Sequence, residues 1–357
     1  MANNETVTFR CPSCGADMKF DPELGKMKCE FCDTVAAVED LDNDNSDENV
    51  QAIEEDVVEG EFEQDNEEIL LHKYKCSSCG AEILADDHTA ATFCNFCGMP
   101  AMIEERLQGE KKPAFVIPFK LKKESAIKTY TAWAKKGIMT PSKFYAQSTI
   151  DKITGIYVPF WLYDYHARMY LTAHATRTRS ETRGSYRYTH TDHFHIIRDI
   201  ETEYAKIPAD ASEKMPDDVM DKLEPFNYGD LTEFEMPYLS GYYAEKYNYS
   251  AEDMAPRLEH RVKNYINSEV MSTIVGYGGV RVTERRMNVQ KLRAKYALLP
   301  VWILNCTYKG KNFMFAMNGQ TGRVVADKPI SMGKVAGWFL GLTLSISLIL
   351  YIIGMFL

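Results

Sequence analysis

The chain has 357 residues, of which 45% are hydrophobic and 26% are charged. These proportions predict a folded protein of about two or three domains. Its 41 basic and 51 acidic residues give a net charge of −10, but residues 1–110 carry −20 and residues 111–357 carry +10. This division excludes a uniformly basic nucleic-acid-binding protein, and the first ten residues lack the apolar run of a secretory signal peptide.

An internal repeat occupies the N-terminal third of the chain. The segment that begins at Cys11 recurs 65 residues later at Cys76, and both copies read C-x-x-C-G, then, after fourteen residues between the pairs, C-x-F-C. The paired cysteines are Cys11, Cys14, Cys29, Cys32, Cys76, Cys79, Cys94 and Cys97. Without a signal peptide, such pairs favour metal ligation, with four disulfides or thioredoxin-like redox sites as the alternatives.

Zinc prefers four thiolates arranged as a tetrahedron, and a C-x-x-C turn places two sulfur atoms on one side of it. The repeat therefore predicts two rubredoxin-like zinc ribbons, residues 1–38 and 71–104, with one zinc ion in each. All four ligand positions would be filled by protein, which indicates structural sites. Binding of about 10–16 kcal/mol per zinc would supply the folding energy of modules this small.

The charge of the ribbons bears on their partners. Residues 76–97 contain no lysine or arginine, and residues 11–32 contain three lysines against four acidic residues. Affinity for nucleic-acid phosphate comes from lysine and arginine, so nucleic acid is disfavoured as a partner and a protein partner is favoured.

An acidic segment separates the two repeats. Residues 39–68 hold fifteen aspartates and glutamates and no lysine or arginine. Such composition prevents collapse, so residues 39–70 are predicted to form a disordered, self-repelling tether.

Residues 111–330 have the composition of a mixed α+β body rich in antiparallel strands. A helix is predicted over residues 122–137, and a second begins at Ser250, where Ser250 and Asp253 form a capping box. The apolar stripe of the second helix is Met254, Leu258, Val262, Tyr265, Ile266 and Val270. Strands are predicted over residues 157–163, 171–178 and 186–197, with Gly184 near a hairpin tip.

A three-stranded meander is predicted near the end of this body. Its strands are residues 300–308, 313–317 and 323–326, joined by turns at Lys309-Gly310 and Asn318-Gly319. An aliphatic-Pro-apolar pattern at Pro118, Pro159 and Pro300 indicates three strand starts, because proline fits the first residue or the edge of a strand.

The last 23 residues, 335–357, contain no charged side chain. As a helix they would reach about 34 Å, enough to cross a hydrocarbon core of about 30 Å. They are predicted to anchor the protein in a membrane by its tail. Gly337, Gly341 and Ser345 recur every fourth residue, a spacing that lets membrane helices, from a partner or from a second copy, approach closely.

Basic residues precede the span, so the positive-inside rule places the body in the cytoplasm. Two segments of the body are strongly basic. Residues 281–334 hold eleven basic and two acidic residues, and residues 111–152 hold ten and two. This charge indicates either attraction to anionic lipid or an ordinary solvated surface.

Weaker features complete the sequence. His190, His193 and His195 are a weak candidate metal site, and Arg177, Arg179, Arg183 and Arg187 surround the hairpin tip. Trp161 and Trp302 are expected in the core, and Cys306 is expected as a buried thiol. The sequence contains no phosphate-binding glycine loop and no G-x-S-x-G motif, so it predicts a protein that is not an enzyme.

The chain resembles a family of bacterial membrane-associated zinc-ribbon proteins whose ribbons are of the transcription-factor-IIB type. The resemblance rests on the four cysteine pairs and on three further motifs, residues 158–164 (VPFWLYD), 299–302 (LPVW) and 318–322 (NGQTG). It implies zinc binding and a location in the inner membrane. Members are sometimes labelled as replication-restart helicases, but this sequence lacks the ATP-binding loop that a helicase requires.

Some members in Gram-positive bacteria lie in envelope-stress operons, where they help hold a phage-shock-protein-A-like partner at the membrane. The resemblance therefore implies an adaptor that recruits soluble cytosolic proteins to the membrane. Two alternatives stay open, a membrane-tethered nucleic-acid-binding regulator and an enzyme with a pocket in the body.

Overall fold

A computed structural model describes residues 6–42, 71–76, 82–86, 89–94, 100–103 and 112–356. The chain divides into two compact units. Unit 1 comprises Met1–Pro159, Lys214–Lys246 and Leu298–Leu357, and unit 2 comprises Phe160–Glu213 and Tyr247–Ala297.

The described elements confirm a mixed α+β protein rich in strands. In chain order they are β1 (Met18–Asp21), β2 (Lys26–Cys29), β3 (Val35–Ala36), α1 (Val38–Asp42), β4 (Leu71–Lys75), β5 (Glu82–Asp86), β6 (Thr89–Phe93), β7 (Pro100–Met102), β8 (Phe115–Val116), α2 (Lys123–Lys136), α3 (Gln147–Ile150), β9 (Thr154–Arg183), β10 (Tyr186–Asp210), α4 (Asp217–Leu223), β11 (Thr232–Glu233), β12 (Tyr243–Glu245), α5 (Ala251–Ser272), β13 (Gly279–Tyr308), β14 (Lys311–Asn318), β15 (Val324–Ala326) and α6 (Met332–Phe356).

Three sheets contain these strands. β1, β2 and β3 form an antiparallel sheet in that order, and β4 pairs antiparallel with β5. The largest sheet has the order β11-β8-β13-β9-β12-β6-β7, while β10 pairs with β9 and β14 pairs with both β13 and β15. Strands β6 and β7, from the second cysteine repeat, therefore continue a sheet built from the predicted body.

The meander predicted at the end of the body is confirmed. β13, β14 and β15 pair antiparallel in the expected order. Lys309 and Gly310 have φ of 52° and 75°, as a two-residue turn in the left-handed region requires. The second turn, between β14 and β15, spans five residues, 319–323, and not the two predicted at Asn318-Gly319. Its residue in the left-handed region is Gly322, with φ 78°.

The two predicted helices are also confirmed. α2 spans Lys123–Lys136, and α5 spans Ala251–Ser272 with both hydrogen bonds of the capping box: Asp253 N donates to Ser250 Oγ and Ser250 N donates to Asp253 Oδ2. All the predicted stripe residues of α5 are buried except Tyr265, which is 40% exposed at the edge of the stripe.

Unit 2 is built on a hairpin longer than the sequence predicts. The three predicted segments all lie in strands and the hairpin tip at Gly184 is confirmed, but the predicted break between residues 163 and 171 is wrong. β9 and β10 are two continuous strands of 30 and 25 residues. Alternate residues of β9 from Tyr163 to Ala175 are buried against α5, in one cluster with Leu258, Val262 and Ile266. This period-2 burial runs through residues 164–170, which the sequence analysis did not include in a strand.

The predicted strand starts are wrong at all three prolines. Pro118 lies two residues after the end of β8 and begins no strand. Pro159 and Pro300 lie inside β9 and β13, not at their first residues. Both prolines lie close to the points where these strands pass from one unit to the other. A proline contributes no amide donor, so each interrupts the hydrogen bonding of a longer strand instead of beginning one.

Little of the acidic segment is described. α1 covers Val38–Asp42, so the first residues of the predicted tether 39–70 are helical, and Leu41 is buried. Residues 43–70 lie outside the described residues, and the predicted domain boundaries 1–38, 71–104 and 111–330 stay predictions.

The C-terminal helix begins earlier than predicted. α6 spans Met332–Phe356, and Met332–Gly354 is long and apolar enough to cross a membrane, with a mean hydropathy of 2.0 and no part of that window buried. The hydroxyls of Thr343 and Ser345 donate to the carbonyls of Phe339 and Gly341. These two hydroxyls are thus satisfied within the helix, as a lipid environment requires.

Candidate metal centre

Four cysteines of the first repeat converge between two similar turns. Cys11 and Cys14 precede β1, while Cys29 ends β2 and Cys32 follows it. Because β1 and β2 pair antiparallel, with Met18 opposite Cys29, the two turns are brought to the same end of the hairpin.

Both turns are closed by a residue in the left-handed region. Gly15 has φ 75° and its amide donates to Cys11 O at 2.9 Å. Asp33 has φ 57° and its amide donates to Cys29 O at 3.1 Å. Aspartate tolerates this conformation better than most residues, which explains how the second turn does without glycine.

The four sulfur atoms lie within 4.8 Å of one another. Cys11 Sγ is 3.6 Å from Cys32 Sγ, and Cys14 Sγ is 3.6 Å from Cys29 Sγ. Zinc–sulfur bonds of about 2.3 Å in a tetrahedron would separate the sulfurs by about 3.8 Å. These spacings fit a zinc ion and are too long for disulfides.

Hydrogen bonds to the sulfurs favour the thiolate form of Cys11 and Cys32. Burial opposes ionisation of Cys11, but the amides of Ser13 and Cys14 outweigh it and lower the pKa of this thiol to about 6. The hydroxyl and amide of Thr34 lower the pKa of Cys32. The amide of Ala16 acts in the same direction on Cys14, but the neighbouring cysteines raise the pKa of Cys14 to about 12. A bound divalent cation would remove this competition among the thiols.

The cluster can therefore hold one metal ion. All four donors come from protein, which leaves no position open for a substrate or a reactive water. Cys11 and Cys29 are buried, whereas Cys14 and Cys32 are exposed at the tip.

The second repeat is described in part. Cys76 follows β4 and Cys94 follows β6, and both are buried in one cluster with Tyr74, Ile83 and Ile103. Cys79 and Cys97 lie outside the described residues. The buried pair is consistent with a second site, and the predicted full ligand set stays a prediction.

The hairpin of β1 and β2 packs against the rest of unit 1. Ser240 Oγ donates to Met18 O at 2.7 Å, and Phe20 N donates to Ser240 O at 3.1 Å. The Phe20 ring contacts Tyr238 edge-on, with centroids 5.2 Å apart. An ion pair at 3.1 Å between Lys122 and Asp21 adds a polar contact at the same face.

The weaker candidate sites take other roles. Within the described part of the chain, the Cys11 cluster is the one group of three or more His, Cys, Asp or Glu side chains placed to hold a metal ion. His190 lies 3.6 Å from Glu181 instead. Arg177 donates to Gly276 O and lies over the rings of Phe194 and Tyr277, so this arginine stabilises unit 2.

The NGQTG motif forms a buried polar network. Asn318 is fully buried, its amide nitrogen donates to Leu223 O, and its oxygen accepts from the amides of Gln320 and Thr321. Gln320 in turn bonds to Asn227 through both ends of its side-chain amide. This motif fixes the fold of unit 1.

The remaining predictions for single residues are mixed. Trp302 is buried as expected and donates to Leu121 O at 3.1 Å. Trp161 is half-buried and donates to Tyr249 O at 2.9 Å. Cys306 is half-buried, and its burial raises the pKa of the thiol.

Sequence reasoning missed the most exposed apolar residue of the ribbon. Phe31 stands between Cys29 and Cys32 and is 81% exposed, and Leu24 and Val35 of the same ribbon are 51% and 44% exposed. The repeat contained a signal for this residue: Phe96 occupies the same position between Cys94 and Cys97, so both copies carry a phenylalanine inside the second cysteine pair.

The sequence was compared with known proteins. No family model matches it, and no solved structure matches it. Over 341 residues it is 39% identical to a protein of Bacillus subtilis (strain 168) named "Uncharacterized protein YdjG", and the alignment covers 94% of each chain. At this identity and coverage, the chain belongs to the same family as YdjG of Bacillus subtilis.

Proposed function

We propose that this protein is a membrane-anchored zinc-ribbon adaptor that recruits soluble proteins to the cytoplasmic face of the bacterial inner membrane. The observation that carries the proposal is the exposure of Phe31 at the zinc-binding tip. A large aromatic side chain held on a rigid turn is the kind of residue that anchors protein–protein interfaces.

Zinc has a structural role in this proposal. One ion would be held by Cys11, Cys14, Cys29 and Cys32, and a second by Cys76, Cys79, Cys94 and Cys97, which makes two zinc ribbons. The metal would fix the turn that carries Phe31, and the protein would catalyse no reaction.

Charge supports a protein partner over nucleic acid. Lys19 is paired with Glu30 at 2.8 Å, and Lys28 is paired with Asp33 at 2.9 Å. Two of the three lysines of the ribbon are therefore already neutralised by acidic neighbours, which leaves little basic surface for phosphate.

α6 would provide the membrane anchor. Its 25 residues reach about 37 Å at about 1.5 Å per residue, more than a hydrocarbon core of about 30 Å. Arg323, Lys328 and Lys334 precede the apolar run, which favours a cytoplasmic body by the positive-inside rule. A Cβ atom added at Gly337 or Gly341 would meet nothing within 4 Å, so this helix face is open to a membrane helix or a second copy.

The resemblance to proteins of envelope-stress operons suggests the first partner to look for, a phage-shock-protein-A-like protein. Such a protein would be held at the membrane through the ribbon, with anionic lipid as a further contact of the body.

The test is a single substitution at the exposed tip. Deleting residues 1–110 would also remove β6, which pairs with β12, so a point variant is the sharper choice. Full-length protein with Phe31→Ser would be purified from solubilised membranes beside wild type and a control, Val275→Ser, whose side chain is 72% exposed in unit 2.

Phe31→Ser is expected to keep its zinc and its membrane location but to lose the cytosolic proteins that co-purify with wild type and with Val275→Ser. Retention of the same partners at the same yield would refute the recruiting role of this tip.

A further inference from the structure

The residues that lead into α6, Ser331 to Lys334, are hydrogen-bonded to the rest of unit 1. We call this segment the junction. Ser331 N donates to Met139 O at 2.9 Å. Lys334 Nζ donates to Thr140 O at 2.7 Å and lies 3.3 Å from Tyr145 Oη. The helix therefore starts from a fixed point on the folded unit and not from an open linker.

The end of α2 lies beside the same junction. Lys328 Nζ is 4.8 Å from the centroid of the Trp133 ring, a cation–π contact. A Cβ atom added at Gly137 would lie 3.1 Å from Lys328 Cδ, so the two segments approach closely.

Three large apolar side chains are exposed at this place. Ile138 is 62% exposed, Ile330 is 61% exposed and Met332 is 64% exposed. Ile138 adjoins Met139 in sequence, and Ile330 and Met332 flank Ser331, so the hydrogen bond between Ser331 and Met139 holds the backbone segments that carry the three residues side by side. Exposed apolar groups clustered in this way mark an interaction surface.

Lysines accompany the apolar residues. Lys135 and Lys136 are exposed in the last turn of α2, whereas Lys334 is engaged with Thr140 and Tyr145. We define the collar as Lys135, Lys136, Ile138, Ile330 and Met332. Asp327 is the acidic residue that lies nearest to it in sequence.

We propose that the collar is a bilayer-contact surface, in which the apolar residues enter the headgroup region and the lysines bind the phosphates of anionic lipids. This inference rests on the proposed membrane anchor and deepens it. Unit 1 would then be held against the membrane in one orientation.

Two observations select a bilayer as the occupant. First, the collar is continuous with α6: Met332 precedes the uncharged run by three residues, about 4.5 Å along a helix, within a headgroup layer about 5–8 Å thick. Second, its charge is complementary to anionic lipid, which attracts basic side chains close to a span.

The experiment uses the full-length protein in lipid nanodiscs of phosphatidylcholine alone or mixed with phosphatidylglycerol. The photocrosslinker p-benzoylphenylalanine replaces Ile138 in the test variant, Phe339 in a variant that reports on the span, and Leu24 in a control on the ribbon. Phe339 is 69% exposed and Leu24 is 51% exposed, so all three positions accept the larger side chain. Mass spectrometry then detects covalent phospholipid adducts.

Position 138 is expected to form phospholipid adducts, as position 339 does, while position 24 forms none. Adducts at 339 without adducts at 138 would overturn the collar and leave the anchor standing. Absence of adducts at 339 would instead refute the anchor and, with it, the collar.

A second comparison tests the lysines. Lys135→Gln combined with Lys136→Gln is expected to lower the adduct yield at position 138 about threefold or more in discs with phosphatidylglycerol, and to leave it unchanged in phosphatidylcholine alone. An equal yield in both lipids with and without the lysines would refute their role in binding anionic headgroups.

Discussion

Replacing Ser240 by alanine is predicted to loosen the first ribbon. Ser240 is 1% exposed, and its hydroxyl is 2.7 Å from Met18 O, on the strand that follows Cys14. Removing the hydroxyl takes a hydrogen bond from a buried carbonyl, at a cost of about 1–2 kcal/mol. That energy corresponds to a factor of about 5–30 in the equilibrium between docked and opened ribbon.

Zinc transfer to an excess of a coloured chelator measures this opening. The Ser240→Ala variant is expected to release one of its zinc ions faster than wild type by that factor, because an opened β1 exposes the ligands. Ser272→Ala is the matched control, since its exposed hydroxyl bonds to Glu269 O in unit 2. An unchanged rate of zinc release in Ser240→Ala would show that the hydrogen bond from Ser240 to Met18 does not hold β1 in place.

Three further predictions follow from the fold. Gly319→Ala should destabilise the protein by about 1–3 kcal/mol in urea denaturation, because its Cβ would lie 2.6 Å from the Phe119 ring; an unchanged midpoint would contradict the packing described. Burial raises the pKa of Asp164, but hydrogen bonds from the Lys206 amide and from Arg293 outweigh burial, so the pKa is lowered overall. The ionised carboxylate therefore stabilises unit 2 at pH values above about 3.9, the ordinary carboxyl pKa, and this stabilisation is lost as the pH falls through the lowered pKa. The stability difference between wild type and Asp164→Asn should therefore be larger at pH 7 than at pH 3, and a difference independent of pH would count against the ion pair. The proposed topology places Leu357 on the far side of the membrane from the cytoplasm. An enzyme reporter fused after Leu357 should therefore be active only outside the cytoplasm, and activity in the cytoplasm would refute this topology.

Local sequence signals predicted local structure well. The capping box at Ser250 and Asp253 gave the start of α5, because its two hydrogen bonds join residues three apart. The Lys309-Gly310 turn was found for the same reason, since its geometry depends on two adjacent residues. The cysteine spacing located one four-thiolate cluster because a C-x-x-C turn largely determines where its sulfurs lie.

Structure that depends on distant contacts was not predictable. The hydrogen bond from Ser240 to Met18 joins residues 222 positions apart, so the packing of β1 against the rest of unit 1 left no local pattern. The length of β9 was missed because α5, far along the chain, buries alternate residues of β9, a long-range contact with no local signal in the sequence. Phe31 was missed because an aromatic residue is ordinarily assigned to a core.

The most direct measurement of the central claim is native mass spectrometry of the full-length protein purified from membranes. We expect the 40.8 kDa chain to carry two zinc ions and to retain a bound cytosolic protein. With Phe31→Ser we expect the same zinc content without the bound protein. A chain that carries no zinc, or that is recovered only from the soluble fraction, would contradict the account of a zinc-ribbon adaptor at the membrane.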